Sequence, residues 1–199
     1  QDPDDPERWA RVKARLLESR ASRVRPARDD KVVAAWNGLA ISSLAQAGLL
    51  LGEQRYVDAA VRAGQLLVDL HLDAGGTRLR RVTRDGVAGA HAGVLEDYGC
   101  VADGFLMLLS ATGDAVWLER AGRLLDTALA HFADGQGGFY DTADDAEALV
   151  ARPRDPSDNA SPSGHSAVVH ALLGYAAVTG SGRHRDAAEA GLRTIRLLA

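Results

Sequence analysis

Three stretches of this 199-residue chain concentrate side chains able to do chemistry. The first runs from Asp29-Asp30-Lys31 to Trp36-Asn37-Gly38, the second is Glu96-Asp97-Tyr98, and the third runs from Asp158 to Ser166. Glu96 or Asp97 paired with Asp158 would supply the two carboxylates that glycoside hydrolysis needs. His165 and His91 are the candidates for general acid–base work, because an imidazole exchanges protons near neutral pH. Trp36 and Tyr98 offer flat faces for stacking, while Asn37, Arg152 and Ser163 offer hydrogen bonds. Each residue also has a plainer role. Asp, Asn and Ser are preferred helix N-caps, and Glu or Asp in a first turn offsets the helix dipole. Trp36 suits packing as well as stacking. His170, inside an apolar helix, reads as a core histidine with satisfied nitrogens. No His-x-x-x-His spacing occurs, so neither a metal site nor a cofactor is expected.

The elements that must position these stretches repeat along the chain. A first helix is predicted over Pro6–Ala21, with Pro6 in the first turn and Trp9, Val12 and Leu16 as an apolar stripe. A polar connector follows through Lys31. Then three pairs of helices are predicted: Trp36–Leu51 with Tyr56–Leu72, Glu96–Thr112 with Val116–Phe132, and Gly164–Thr179 with His184–Leu198. Gly52, Gly113 and Gly180 break the pairs, and aligning them gives offsets of 61 and 67 residues. A long period of this kind marks stacked supersecondary units. In each pair the first helix is apolar almost all round and the second carries one apolar stripe. Buried inner helices inside a ring of half-exposed outer ones satisfy both patterns. The expected fold is therefore all-α, three helical hairpins of an α/α toroid, with short β-hairpins in the long loops; a left-handed bundle or an open solenoid of helix pairs is the competing architecture. The chain is read as one domain. Residues 1–35 form the first helix and connector, 36–94 hairpin 1 and its loop, 95–163 hairpin 2 and its loop, and 164–199 hairpin 3.

The loops at 75–94 and 135–163 are long, and both end where an inner helix begins. Connections of that length are usually functional or disordered. Thr77–Val82 followed by Asp85-Gly86 signals a turn between two short strands. In a toroid the inner-helix starts converge on one mouth, so Trp36, Tyr98 and Ser163 should face a common opening. Helix N-termini favour anions and hydroxyl-rich ligands.

Composition narrows the alternatives. With 46% hydrophobic and 25% charged residues the chain can bury a sizeable core, and a net charge of −4 gives no basic field for nucleic acid or anionic lipid. Cys100 is the single cysteine, so an internal disulfide and a multi-cysteine zinc site are both excluded, and it reads as a small buried residue. No apolar run reaches the roughly 20 residues of a membrane span. The acidic start has no signal-peptide pattern, and a cytoplasmic location is expected. The absence of an initiator Met, and an end inside a helical pattern, suggest a piece of a longer protein.

Arg152-Pro153 with Pro162-Ser163-Gly164-His165 matches part of the vanadium haloperoxidase and type-two phosphatidic acid phosphatase signature. That signature needs a Lys where this chain has Asp145, and its third segment is missing, so the match is rejected. A broader likeness is more specific. Asp29 through Ile41, Leu95-Glu96-Asp97-Tyr98, Gly137 through Thr142, Arg152-Pro153-Arg154-Asp155 and Pro162-Ser163-Gly164 resemble the C-terminal part of the YyaL-type, spermatogenesis-associated thioredoxin-like proteins. The resemblance implies a helical toroid similar to six-hairpin glycosidases and N-acylglucosamine 2-epimerases, of which only half is visible here. It also implies a thioredoxin-like domain elsewhere in such proteins; its paired cysteines are absent here, so no redox activity carries over. Asp141 and Arg152 fall inside the matched segments and join the substrate-binding candidates, while His165 stands where the family pattern has Asn.

Two functions remain open: a carbohydrate-binding or carbohydrate-active mouth, epimerase- or glycosidase-like, and a non-catalytic module docking a thioredoxin-like domain or other protein. The candidate catalytic set is Glu96, Asp97, Asp158 and His165. A sugar or polyol is the expected ligand, with nucleic acid and membrane excluded. A half-ring exposes apolar inner-helix faces that a second copy would cover. Light scattering at micromolar concentration should therefore show self-association; a single monomeric species contradicts it.

Overall fold

The computed structural model describes residues 5–155 and 157–198, with side chains described through Thr194. It separates into two units, Gln1–Asp30 and Lys31–Ala199. In the first, α1 (Pro6–Ala21) coincides with the predicted span. The Asp5 carboxylate caps it, accepting from the N–H groups of Glu7 at 3.0 Å and Arg8 at 3.3 Å, and Pro6 occupies the first turn, where a missing N–H costs nothing.

The second unit contains β1 (Val32–Val33), α2 (Ala34–Leu51), α3 (Gln54–Leu70), β2 (Val82–Arg84), β3 (Val87–Ala88), α4 (Leu95–Thr112), α5 (Val116–His131), α6 (Gly164–Thr179) and α7 (Gly182–Leu198). Every helix lies within two residues of its predicted ends. Gly52, Gly113 and Gly180 close the inner helices at φ of 68°, 71° and 73°, a left-handed conformation that costs any residue with a Cβ.

The helices form two layers. Inner helices α2, α4 and α6 lie side by side, and α3, α5 and α7 each back the inner helix before them. α4 is central, with 11 of its 18 residues buried. Small residues set the spacing of the inner layer. A Cβ on Gly38 of α2 would collide with the Cys100 carbonyl of α4, and one on Gly99 would stand 2.5 Å from the Val168 nitrogen of α6. Backbone therefore meets backbone along both seams. The outer layer is held by larger groups: the Phe105 and Trp117 rings are 5.2 Å apart between α4 and α5, and Tyr175 meets His184 at 4.7 Å between α6 and α7. The fold is three helical hairpins of an α/α toroid.

α2 comes nearest to a membrane span, since its 18 residues and mean hydropathy of 1.2 pass on length and composition. Here it packs against α3 and α4 as an inner helix of the stack.

Of the two long loops, the first carries the predicted β-hairpin. Asp85 (φ 51°) and Gly86 (φ 75°) form the two-residue turn, whose positive φ values match the twist of the flanking strands. β1 adds an antiparallel third strand, pairing Val32 with Thr83 and Val33 with Val82. It was not foreseen, because two residues carry no periodicity. Among its described residues, the second loop has an antiparallel bridge between Ala133 and Phe139 as its one strand-like pairing.

Gly38→Ala tests the inner seam. In an exposed helix the change gains up to about 1 kcal/mol of propensity. Here a loss of at least ~2 kcal/mol is expected in urea denaturation, because the new methyl meets backbone that cannot move aside.

Candidate functional site

The first turn of α4 is where the chain ties itself together. Asp97 is fully buried, and each carboxylate oxygen is used. Oδ1 accepts from the Ala35 N–H at the start of α2 (3.0 Å). Oδ2 accepts from the Val94 N–H (2.9 Å) and from Arg81 Nη1 in the first long loop (3.1 Å). The other Arg81 nitrogen reaches Glu96 at 3.4 Å. The Leu95 N–H donates to the Asp141 carbonyl of the second loop (2.9 Å), and Gly164 at the start of α6 leaves no room for a Cβ beside the Glu96 nitrogen. Three helix starts and two loops thus meet around one carboxylate. Burial pushes the Asp97 carboxyl up, ahead of the lowering by Arg81 and the two N–H donors.

This arrangement removes several candidates from the ligand side. Asp97 has no lone pair turned outward, so it holds the mouth together rather than acting in it. Tyr98 turns the other way: it is 1% exposed, its ring lies 5.0 Å from Phe132, and its hydroxyl accepts from the Leu79 N–H. It therefore shares no opening with Trp36. His165 is 5% exposed, with Nε2 at 3.0 Å from the Gly191 carbonyl and its ring against Phe139, so it faces α7. Arg152 is a staple within its loop. Its guanidinium donates to the Thr142 and His131 carbonyls and stacks on Tyr140 at 4.1 Å. Asn37 donates to the Val33 carbonyl, one turn back (2.9 Å).

The other candidates stay nearer the surface. Trp36 is 62% exposed. Glu96 is half-buried on Arg81. Ser163 caps α6 by accepting from the Ser166 N–H (3.1 Å), and Asp158 accepts from the Ser163 N–H (2.8 Å), which holds its carboxyl below the usual range. Asp141 accepts from the Asp155 N–H (3.1 Å), and burial pushes its carboxyl up. His91 lies in a separate cleft between the two long loops, with Arg81 and Thr142.

One turn further along the inner helices lies a cavity of about 320 Å3, lined by Leu39 of α2, Gly99, Cys100 and Asp103 of α4, Pro162, and Ser166, Ala167 and His170 of α6. Its floor is apolar, with Leu39, Cys100 and Ala167 packed together. Across it, His170 Nε2 stands 3.3 Å from Asp103 Oδ1, and the His170 side chain is 74% exposed. The expectation of a core histidine is thus overturned: His170 is at the surface, on the face its helix shares with α4. A signal was available. With offsets of 61 and 67, Ser42, Asp103 and His170 are equivalent in the three repeats, as are Leu39, Cys100 and Ala167. Asp103 is also the one charged residue of α4 beyond its first turn. The Cys100 thiol is pushed up to about 12, first by burial and then by Glu96, Asp97 and Asp103, so it is no nucleophile near neutral pH.

His131, Asp144 and Asp145 gather at the loop end of α5 with ligand atoms within 4.8 Å of one another. Arg78 donates to both His131 and Asp145, supplying the positive charge the group needs.

The fold is that of an α/α toroid of the six-hairpin glycosidase-like kind. Cellobiose 2-epimerase from Spirochaeta thermophila matches with a TM-score of 0.71 at 20% identity, over 86% of this chain and 44% of that one. Unsaturated glucuronyl hydrolase from a Bacillus species matches at 0.66 and 18%, over 87% and 49%. No family model matches the chain. In sequence, it resembles a segment of spermatogenesis-associated protein 20: the human protein is 37% identical over 181 residues and the rat protein 35%. The chain spans 23% of the length of either relative, with 86% of its own length matched.

Asp97→Ala should destabilise the fold by about 3 kcal/mol, because two buried N–H groups and Arg81 lose their acceptor. The raised native value has a definite sign. From 3.8 up to that value the native state binds more protons than the unfolded chain, so Asp97's contribution is greatest below 3.8 and falls as pH rises through the window. The deficit of Asp97→Ala should accordingly narrow with rising pH, measured by urea denaturation between about pH 4 and 7.

Proposed function

We propose that this half-toroid binds a sugar in the cavity between α2, α4 and α6 and that Asp103 and His170 transfer protons there. The observation that carries the reading is the pair of exposed His170 and half-buried Asp103, 3.3 Å apart on neighbouring inner helices over an apolar floor. An imidazole oriented by a carboxylate is a general acid–base unit. Leu39 and Ala167 offer an apolar surface to one face of a sugar ring, and the Ser166 hydroxyl and Asp103 offer hydrogen bonds to its rim. Trp36 precedes Leu39 by three residues, so it lies on the same face of α2 and extends that surface outward.

The pair suits removal and return of a proton at carbon better than hydrolysis. Hydrolysis needs two carboxylates on opposite sides of the scissile bond. Of the sequence candidates, Asp97 is consumed inside the fold and Asp158 is engaged with Ser163. The epimerase and glycosidase neighbours support a carbohydrate reading through the fold alone. A second reading, a docking module for a thioredoxin-like domain or a second copy, is favoured by Leu49, Leu50 and Leu51, three consecutive exposed leucines at the end of α2.

A library of neutral and charged sugars should contain a ligand that raises the melting temperature of the full-length protein by about 5 °C at saturation. Trp36→Ala and His170→Asn should lose that shift or its associated proton exchange. For epimerase-like chemistry, proton NMR in D2O should show solvent deuterium entering the sugar at carbon, abolished in His170→Asn. A library without any stabilising sugar removes the reading.

A further inference from the structure

We infer that the cavity between α2, α4 and α6 selects uncharged sugars and turns away sugar phosphates and uronic acids. The inference rests on the sugar-binding reading and narrows its substrate class. It follows from the sign of the fixed charges around the site. The described lining residues include one carboxylate, Asp103, and neither arginine nor lysine. His170, when protonated, balances Asp103 at 3.3 Å and leaves no positive charge over. Arg81 is divided between Asp97 at 3.1 Å and Glu96 at 3.4 Å, one cation against two anions. At the rim, Ser166 neighbours Asp158, whose carboxylate accepts from the Ser163 N–H at 2.8 Å and stays ionised.

Three carboxylates lie near enough to the cavity wall to act on a group within it. The Cys100 thiol, in the cavity wall, is pushed up by burial and then by Glu96, Asp97 and Asp103 in turn. An anionic substituent on a ligand would meet the same field at close range and in partly excluded water, where charges interact strongly.

The usual structural answer to an anionic ligand is a free helix N-terminus. Here that device is filled from within. The start of α4 carries Glu96 and Asp97, and the Val94 N–H is held by Asp97 at 2.9 Å. At the start of α6 the Ser166 N–H is taken by Ser163 at 3.1 Å. Uncharged hydroxyls need no such compensation. They donate to Asp103 and exchange hydrogen bonds with Ser166, while the ring lies on Leu39 and Ala167.

The test is a matched titration of the full-length protein, following amide resonances at low ionic strength. Glucose and cellobiose are paired with glucose 6-phosphate and cellobiouronic acid. Each neutral sugar should bind at least roughly tenfold more tightly than its anionic partner, with the gap closing in about 0.5 M NaCl. Asp103→Asn should narrow the gap as well. Asp158→Asn, on the exposed loop, should do so to a smaller degree, which guards against a folding defect in the first variant. An anionic sugar binding as tightly as its neutral partner, or more so, overturns the inference and leaves the sugar reading standing. If no sugar of either set moves a resonance, the sugar reading itself falls and the inference falls with it.

Discussion

The Asp97 carboxylate sits where no water can stabilise its charge, and the geometry of the mouth follows from how the chain meets that cost. A buried ion is tolerated only when its lone pairs are filled. The donors that fill them come from three places far apart in sequence: Ala35 at the start of α2, Val94 at the start of α4, and Arg81 in the first long loop. Satisfying one side chain therefore fixes the relative height of two inner helices and draws the β2–β3 hairpin against them. β1 completes the tie, since Val32 and Val33 pair with β2 immediately before α2 begins. Losing any one donor would leave the others holding an underfilled charge, so the assembly is cooperative in the sense of a shared network.

The glycine seams act on the same helices further along. Gly38 and Gly99 stand at equivalent repeat positions, each allowing its helix to touch the backbone of the next. The third equivalent is Ser166, which has no further inner helix beyond it among the described elements and lines the cavity. The same row that closes α2 on α4 and α4 on α6 thus ends in a small polar side chain in the cavity wall. The close spacing also brings Asp103 and His170, one step further along their helices, within 3.3 Å of each other. Long side chains at the glycine positions would separate the helices and part that pair.

The architecture was legible in the sequence because it rests on signals that survive without tertiary context. Glycine at a helix end reports a left-handed cap, and a break recurring at Gly52, Gly113 and Gly180 reports a repeat. Asp85-Gly86 reports a tight turn. The site was much less legible, for a physical reason. An N-cap, a network hub and a sugar ligand all draw on Asp, Ser, Asn and Tyr, and sequence does not say which way each points. Glu96, Asp97 and Tyr98 are consecutive, yet successive helical positions lie about 100° apart. One therefore meets Arg81 at the surface, one is buried as a hub, and one packs on Phe132 in the core. Arg152 was similarly opaque: a guanidinium in a loop suggests a ligand, but its partners are two carbonyls and the Tyr140 ring.

His170 shows the converse case. An imidazole in an apolar helix is usually core, but the apolar character of α6 has two sources, contact with α4 and α7 and the face that lines the cavity. Periodicity cannot separate a face covered by protein from one turned to a ligand, since both favour small apolar residues. The discriminating information was relational. Comparing polar residues at the repeat offsets places Asp103 beside His170, and only helix-to-helix register turns that equivalence into a contact. The first turns of the inner helices are occupied in holding the structure together, and one turn deeper the backbone is already satisfied, so the Asp103 and His170 side chains line the cavity instead of capping a helix. The division explains why the polar clusters most conspicuous in sequence are largely structural, while Asp103 and His170 stand as a sparse polar pair in an apolar setting.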